Sequence, residues 1–364
     1  MNIYEQQEKN KRNTWLFMAA FVLLFIIIGF GADYFLLGFC PAGVCSRYSA
    51  LSTVRTVENY DGTVSMTVDR GIGFPLITLI ALITSLVMSF NSMTNSRQMI
   101  IRAVHAFPAK MFDDKVKAYL RLSGDDYDID QDKVKQFVNV VSEMSVACGL
   151  PMPEPYIIPD SDLNAFAAGI NPKESVIAVT EGLLNSLNRE ELQGVVGHEM
   201  SHIRNYDTRY MTVAAALAGA IGMISNIVLR LMIGGGRRSS GGKSNSKSGD
   251  ARIVMIFFAV WLLLVILAPV FSSLITMAIS RRREFLADAS SAELTRNPQA
   301  LISALQKIED AYQPTKSFKN AGIEHMCIAD PNGASWLQSP LKSLLSTHPS
   351  TAKRIEALKE MAYQ

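Results

Sequence analysis

Residues 188–202 read Asn-Arg-Glu-Glu-Leu-Gln-Gly-Val-Val-Gly-His-Glu-Met-Ser-His, and the rest of the chain is organised around this stretch. Asn188 followed three residues later by Glu191 is a capping box, in which each side chain satisfies the other's backbone N–H at a helix start. Leu192, Val195, Val196 and Met200 then recur at helical spacing. The sequence therefore predicts a helix carrying His198, Glu199 and His202. Positions four apart stack on one face, so both imidazoles can reach a single metal ion. Glu199, one step around the helix, is placed to deprotonate a water beside the ion rather than to bind the ion. The plain alternative is a surface helix with two histidines. With only 5 His in the chain, the pattern outweighs it.

Zinc in a hydrolytic site takes three protein ligands and a water, so a third must come from elsewhere. Glu284 is the best candidate, because Glu284 and Asp288 are also four apart. One carboxylate can ligate while the other accepts the free N–H of a ligating histidine. A solvated charge cluster is the alternative reading of the same spacing.

Of 364 residues, 49% are hydrophobic, and they gather in long runs. The runs predict four membrane helices, at 14–37, 71–90, 210–233 and 253–279. The first could instead be a cleaved signal, although its apolar core is too long and no A-x-A site follows. Ala214 to Ala220 is weakly apolar, so the third could instead be a packed helix of the soluble part. The remainder divides into an N-terminus at 1–13, an extracytoplasmic loop at 38–70, a first catalytic block at 91–209, a basic loop at 234–252 and a second catalytic block at 280–364. Asp132 to Ala147 reads as an amphipathic helix stopping before Gly149 and Pro151. Tyr156–Ile158 and Val176–Val179 read as strands, Leu163–Ala167 as extended, and Thr180 as the cap of a short helix through Leu187. The fold class expected is α+β: four membrane helices plus a mainly helical, zincin-like catalytic domain with a small sheet.

The net charge of +2 points to neither nucleic acid nor an acidic partner. Asp33 and Arg230 are the lone charges within the runs, which argues against a transporter. Of 4 Cys, Cys40 and Cys45 could form a disulfide or remain free thiols, and none has metal-ligand spacing.

These residues resemble the HtpX-type membrane zinc proteases, relatives of the CAAX prenyl protease within the gluzincins. The resemblance rests on His198 to His202, Glu284 to Asp288, Asn164-Ala165-Phe166-Ala167, and His348-Pro349 with Arg354. It implies that His198, His202 and Glu284 hold one Zn2+ per chain, with Asp288 supporting a ligand. It further implies that Asn164, Ala165, Phe166 and Ala167 border the cleft, where an edge strand could pair with an extended peptide. A plain core strand is the alternative there. His348 and Arg354 are implied to stabilise the oxyanion of the reacting carbonyl. His348 is otherwise a helix cap ahead of Pro349.

The expected activity is zinc-dependent endopeptidase cleavage of damaged or misassembled membrane proteins, with protein substrates and the lipid bilayer as partners and no nucleic acid. The rivals are a narrow processing protease and a non-catalytic, zinc-stabilised membrane scaffold. Glu199 speaks against the scaffold, which has no use for a base beside the metal. Arg97, Arg102 and Arg281 to Arg283 favour a cytoplasmic site, and the resemblance places it in a bacterial inner membrane. The basic residues Arg237, Arg238, Lys243 and Lys247 of the loop at 234–252 run against that orientation.

Overall fold

Two long helices, α1 (Ile3–Ala32) and α2 (Leu76–Ala103), each contain a stretch long and apolar enough to cross a bilayer, with mean hydropathy 2.5 and 1.9. The structure is a computed structural model that describes residues 3–34, 53–58, 64–69, 75–111, 130–217, 262, 283–311, 326–329 and 349–362. It divides into two compact units. One comprises Met1–Trp15, Asn91–Ala220 and Phe271–Gln364, and the other Leu16–Phe90 and Ile221–Val270.

In the second unit, Leu23, Ile80, Ile83, Leu86, Val87 and Phe90 leave large apolar side chains exposed. A soluble surface does not present such a band, whereas lipid accepts it. Asp33 ends the apolar part of α1 and caps α2: its carboxylate accepts from the backbone N–H groups of Ile77 (2.8 Å) and Thr78 (2.7 Å) and from the Thr78 hydroxyl. That is how a lone acidic residue is satisfied at the edge of an apolar run. At Gly29 a β-carbon would meet Thr78 Cα at 2.9 Å, so the two helices touch through a residue with no side chain. The segment read as a loop at 38–70 contains an antiparallel hairpin of β1 (Thr53–Glu58) and β2 (Val64–Asp69).

Both helices depart from the runs that predicted them. Helix α1 starts before residue 14, and α2 continues past Phe90 through Asn91 to Ala103. Hydropathy marks what lipid can hold, whereas the backbone hydrogen-bond ladder runs on through polar residues. Two membrane-length helices are therefore seen among the described residues. Of the runs at 210–233 and 253–279, only 210–217 and Leu262 are described; the rest, the loop at 234–252, and Cys40 and Cys45 lie outside.

The first unit carries a four-stranded mixed sheet in the order β3 (Phe107–Pro108), β4 (Glu154–Ile158), β6 (Val176–Thr180), β5 (Ala165–Ala168). Strands β4 and β6 are parallel, and β3 and β5 flank them antiparallel. Around the sheet lie α3 (Gln131–Cys148), α4 (Glu181–Ser186), α5 (Arg189–Arg204), α6 (207–217), α7 (283–295), α8 (Pro298–Asp310) and α9 (Thr351–Ala362). Helix α3 is stopped by Gly149 in the left-handed conformation (φ 65°), as Gly-Leu-Pro predicts. The core joins Phe137 and Val141 of α3, Ile177 and Val179 of β6, Val195 and Met200 of α5, and Leu301 and Leu305 of α8. Helix α5 is central, packing against α3, α8 and β5.

Candidate metal centre

The motif helix is fixed at its start and along its length. Asn188 Oδ1 accepts from Glu191 N–H (2.9 Å) and Glu191 Oε2 accepts from Asn188 N–H (2.8 Å), completing the capping box. Glu191 is buried and also bonds Lys307 and Ser303 of α8, which ties the cap to a neighbouring helix. Gly194 lets α5 approach α8: a β-carbon there would lie 3.0 Å from Leu301 N. Its carbonyl accepts the Ser291 hydroxyl of α7 at 2.6 Å. Those contacts bring α7, with Glu284 and Asp288, against the helix that carries both histidines.

His198, His202 and Glu284 are buried, with one ligand atom from each lying within 4.8 Å of the others. The two Nε2 atoms are 3.2 Å apart, and each is 3.6 Å from a Glu284 carboxylate oxygen. A tetrahedral zinc with bonds of about 2.0–2.1 Å would separate its ligand atoms by roughly 3.3–3.5 Å, so the three donors fit. The other ring nitrogens settle the tautomers. His198 Nδ1 lies 2.9 Å from Asp288 Oδ1, and His202 Nδ1 lies 3.1 Å from Asp207 Oδ2. Each Nδ1 therefore keeps its proton to donate to a carboxylate, and both Nε2 atoms face one point. A cation bound between the two Nε2 atoms, 3.2 Å apart, takes both lone pairs and displaces any proton held there.

Residues 131–362 match Peptidase family M48. The chain belongs to that family. It is 36% identical over 360 residues to a protein of Streptococcus thermophilus named Protease HtpX homolog, spanning 99% of this chain and 100% of that one. A Protease HtpX homolog of Streptococcus mutans is 49% identical over 234 residues, 64% of this chain and 76% of its own. The crystal structure of S. mikatae Ste24p is similar at 18% identity and a TM-score of 0.42, covering 77% of this chain and 57% of that chain, too loosely to bear on the site. The M48 chain is thus a membrane metalloprotease of HtpX type, and its family implies a metal, generally zinc.

The charges of this M48 site hold one another in place. Arg354 is fully buried and forks onto Asp288 through Nε (2.8 Å) and Nη2 (2.7 Å), donates from Nη1 to the Ile328 carbonyl (2.8 Å), and lies 3.5 Å from Glu284. Burial by itself would raise the Asp288 carboxyl, but the Arg354 guanidinium outweighs it and holds Asp288 down at about 2. Burial would likewise lower His198, yet the Asp288 and Glu284 carboxylates lift it to about 9. Glu199 goes the other way. Burial pushes its carboxyl above the usual range, with the two histidines opposing, and among the described residues its Oε2 has no hydrogen-bond partner. An orphaned, buried carboxylate oxygen beside three converging ligand atoms is the arrangement a water-activating base requires.

The remaining predicted residues fall as follows. Strand β5 is an edge of the sheet, and Asn164 beside it is buried, accepting from Ala165 N–H and donating to the Ala329 carbonyl. The outer edge of β5 is already occupied in part, because Phe166 pairs with Cys327 and Ile328 N–H donates to the Ala165 carbonyl. Arg354, placed at the site by the sequence, bonds Asp288 and the Ile328 carbonyl and lies 3.5 Å from Glu284. His348 lies outside the described residues. His105 is exposed and stands apart from the cluster, on the residue turning α2 into β3. Two supports escaped the sequence reading, Asp207 and its own partner Asn10. Asp207 had one legible signal, an acidic residue opening the helix after the motif.

Proposed function

We propose that this M48 chain is a zinc endopeptidase acting on damaged or misassembled membrane proteins at the cytoplasmic face of a bacterial inner membrane, with one ion held by His198, His202 and Glu284. The orphaned Glu199 Oε2 beside the three ligand atoms carries this reading. Zinc bound there supplies Lewis acidity, bringing the pKa of water toward about 7 and polarising a carbonyl. Glu199 takes the proton of the attacking water as oxygen bonds to the carbonyl carbon, then delivers it to the amine nitrogen as the C–N bond breaks. Asp288 and Asp207 keep each imidazole presenting Nε2, and Arg354 orients Asp288 and Glu284 as a positioning residue. His348 is the proposed oxyanion donor. Asn164, Ala165, Phe166 and Ala167 border the cleft in this reading, with β5 the edge strand along which an extended substrate backbone would pair. The exposed apolar helices favour substrates already in the bilayer.

The test uses full-length protein in detergent, with a membrane protein offered folded and unfolded. Glu199→Gln should lose about 10²- to 10⁴-fold in rate while binding zinc as the wild type does. A Gln variant of wild-type rate would overturn the base assignment. Cleavage of one defined peptide and of no unfolded membrane protein would establish the narrow processing protease instead.

A further inference from the structure

The N-terminal turns of α1 belong to the metal-binding unit, and they reach the second histidine. Asn10 is buried 197 residues from Asp207, and its Nδ2 donates both hydrogens, to Asp207 Oδ1 at 2.7 Å and to the Asn205 carbonyl at 2.8 Å. Chemistry fixes which amide atom sits there, because a carbonyl and a carboxylate both accept and only the nitrogen can donate. Asn10 Oδ1, also buried, has no partner among the described residues, so the side chain is held by its two donors alone. The other Asp207 oxygen faces His202 Nδ1 at 3.1 Å. The turn between them is set by Tyr206, whose left-handed backbone (φ 57°) swings the chain out of α5 and delivers Asp207 back beside the histidine. Around it, Gln7 donates to the Arg204 carbonyl, Thr14 to the Asn10 carbonyl, and Lys11 lies 4.4 Å above the Tyr206 ring.

We propose that Asn10 is a positioning residue of the metal site: by anchoring one oxygen of Asp207, it aims the other at His202 and holds that imidazole's Nε2 toward the ion. This rests on the zinc reading above. A carboxylate with one oxygen anchored cannot rotate away, and a histidine whose Nδ1–H is held keeps its ring angle and its basicity. Arg283 alone is a weaker anchor, at 3.4 Å from the same oxygen. Asn10 lies on the helix that runs on as the first apolar span, so an N-terminal segment far from the motif supports a ligand of the site.

The decisive experiment measures zinc affinity by chelator competition, and the visible absorption of the Co2+-substituted protein, in full-length detergent-purified wild type, Asn10→Leu, Asp207→Asn and the double variant. A Gln7→Leu variant controls for loosened docking of the same helix. Asn10→Leu is expected to weaken zinc by about 3- to 10-fold and to shift the Co2+ spectrum, and to add nothing in the Asp207→Asn background. Gln7→Leu should leave affinity and spectrum unchanged. Unaltered affinity in Asn10→Leu, additive losses in the double variant, or an equal loss in Gln7→Leu would overturn the proposal while leaving the zinc site standing. A wild type that binds no zinc would overturn the zinc reading itself, and the proposal with it. Circular dichroism of each metal-free variant separates misfolding from lost affinity; should Asn10→Leu fail to fold, Asn10→Ala, which removes both donors without adding bulk, takes its place with the same expectations.

Discussion

His198 and His202 sit on one helix, four residues apart, and are held by the same chemistry in two different strengths. Each gives its Nδ1 proton to a buried aspartate. Behind His198 that aspartate is clamped by two of the three nitrogens of a fully buried guanidinium, with the third on a backbone carbonyl. Behind His202 it is held by a neutral amide and by an arginine at 3.4 Å. Both carboxylates accept charge-assisted bonds, but the bidentate guanidinium fork on Asp288 fixes its geometry more tightly than a single amide N–H and a 3.4 Å arginine fix Asp207. The His198 half is therefore the rigid wall of the site and the His202 half the adjustable one. That adjustable half is also the one reached from the N-terminal helix.

The largest effect is expected on the rigid side. Arg354→Ala leaves Asp288 and Glu284 as uncompensated buried carboxylates, and removal of one partner of such a pair costs about 3–5 kcal/mol. Thermal unfolding in detergent would show the loss before any assay of activity. Arg354→Lys keeps the charge without the fork, and should recover part of the stability but not the metal affinity. A Lys variant indistinguishable from wild type would mean that charge alone, not geometry, supports His198.

Next comes the direct contest between the halves. Asp288→Asn and Asp207→Asn each keep an oxygen able to accept from Nδ1 while removing the charge. Lost support of this kind typically costs 10- to 100-fold in metal affinity. Asp288→Asn should fall near the upper end, about 100-fold, because it also unpairs Arg354, and Asp207→Asn near the lower end, about 10-fold. Chelator competition on both variants checks the order. A greater loss in Asp207→Asn would invert the assignment of rigid and adjustable sides.

Much of the rigid half could be read from the chain. The spacing of His198 and His202 and the capping box at Asn188 are local patterns, and Glu284 with Asp288 repeats the same four-residue interval, so each announces itself within one helical turn. What escaped was non-local. Arg354 meets Asp288 across 66 residues, and Asn10 meets Asp207 across 197; a lone Arg or Asn carries no periodicity that would mark its partner. The filling of the β5 edge by Cys327 and Ile328 is hidden for the same reason, since pairing register across long separations leaves no trace in a single strand's composition. The strands around Tyr156 and Ile177 were legible because β-branched and apolar residues bounded by Pro, Asp and Lys are a local signal, and Leu163–Ala167 between them read as extended. Helix α2 was legible only where it is apolar, and its polar last turns were not.

A smaller effect sharpens the contrast from outside the site. Glu191 is also a buried carboxylate held by a cation, but Lys307 is partly exposed and the remaining bonds come from Ser303 and the Asn188 N–H. Burial by itself would raise the Glu191 carboxyl; the bonds to Lys307, Ser303 and Asn188 win, so it titrates below its ordinary value of 4.5. A group lowered on folding adds stability above its unfolded value and loses it as pH falls through the folded one. Glu191→Gln should therefore cost about 1 kcal/mol at neutral pH, the size of a lost helix cap, with the deficit shrinking as pH drops below 4.5. Unfolding midpoints of wild type and variant between pH 7 and about 3 read this directly, and a deficit that widened in acid would show that Glu191 is held as the neutral acid. The contrast with Arg354→Ala then isolates what desolvation adds: both are carboxylate–cation contacts, and only the pair fully withheld from water on both sides carries several kcal/mol.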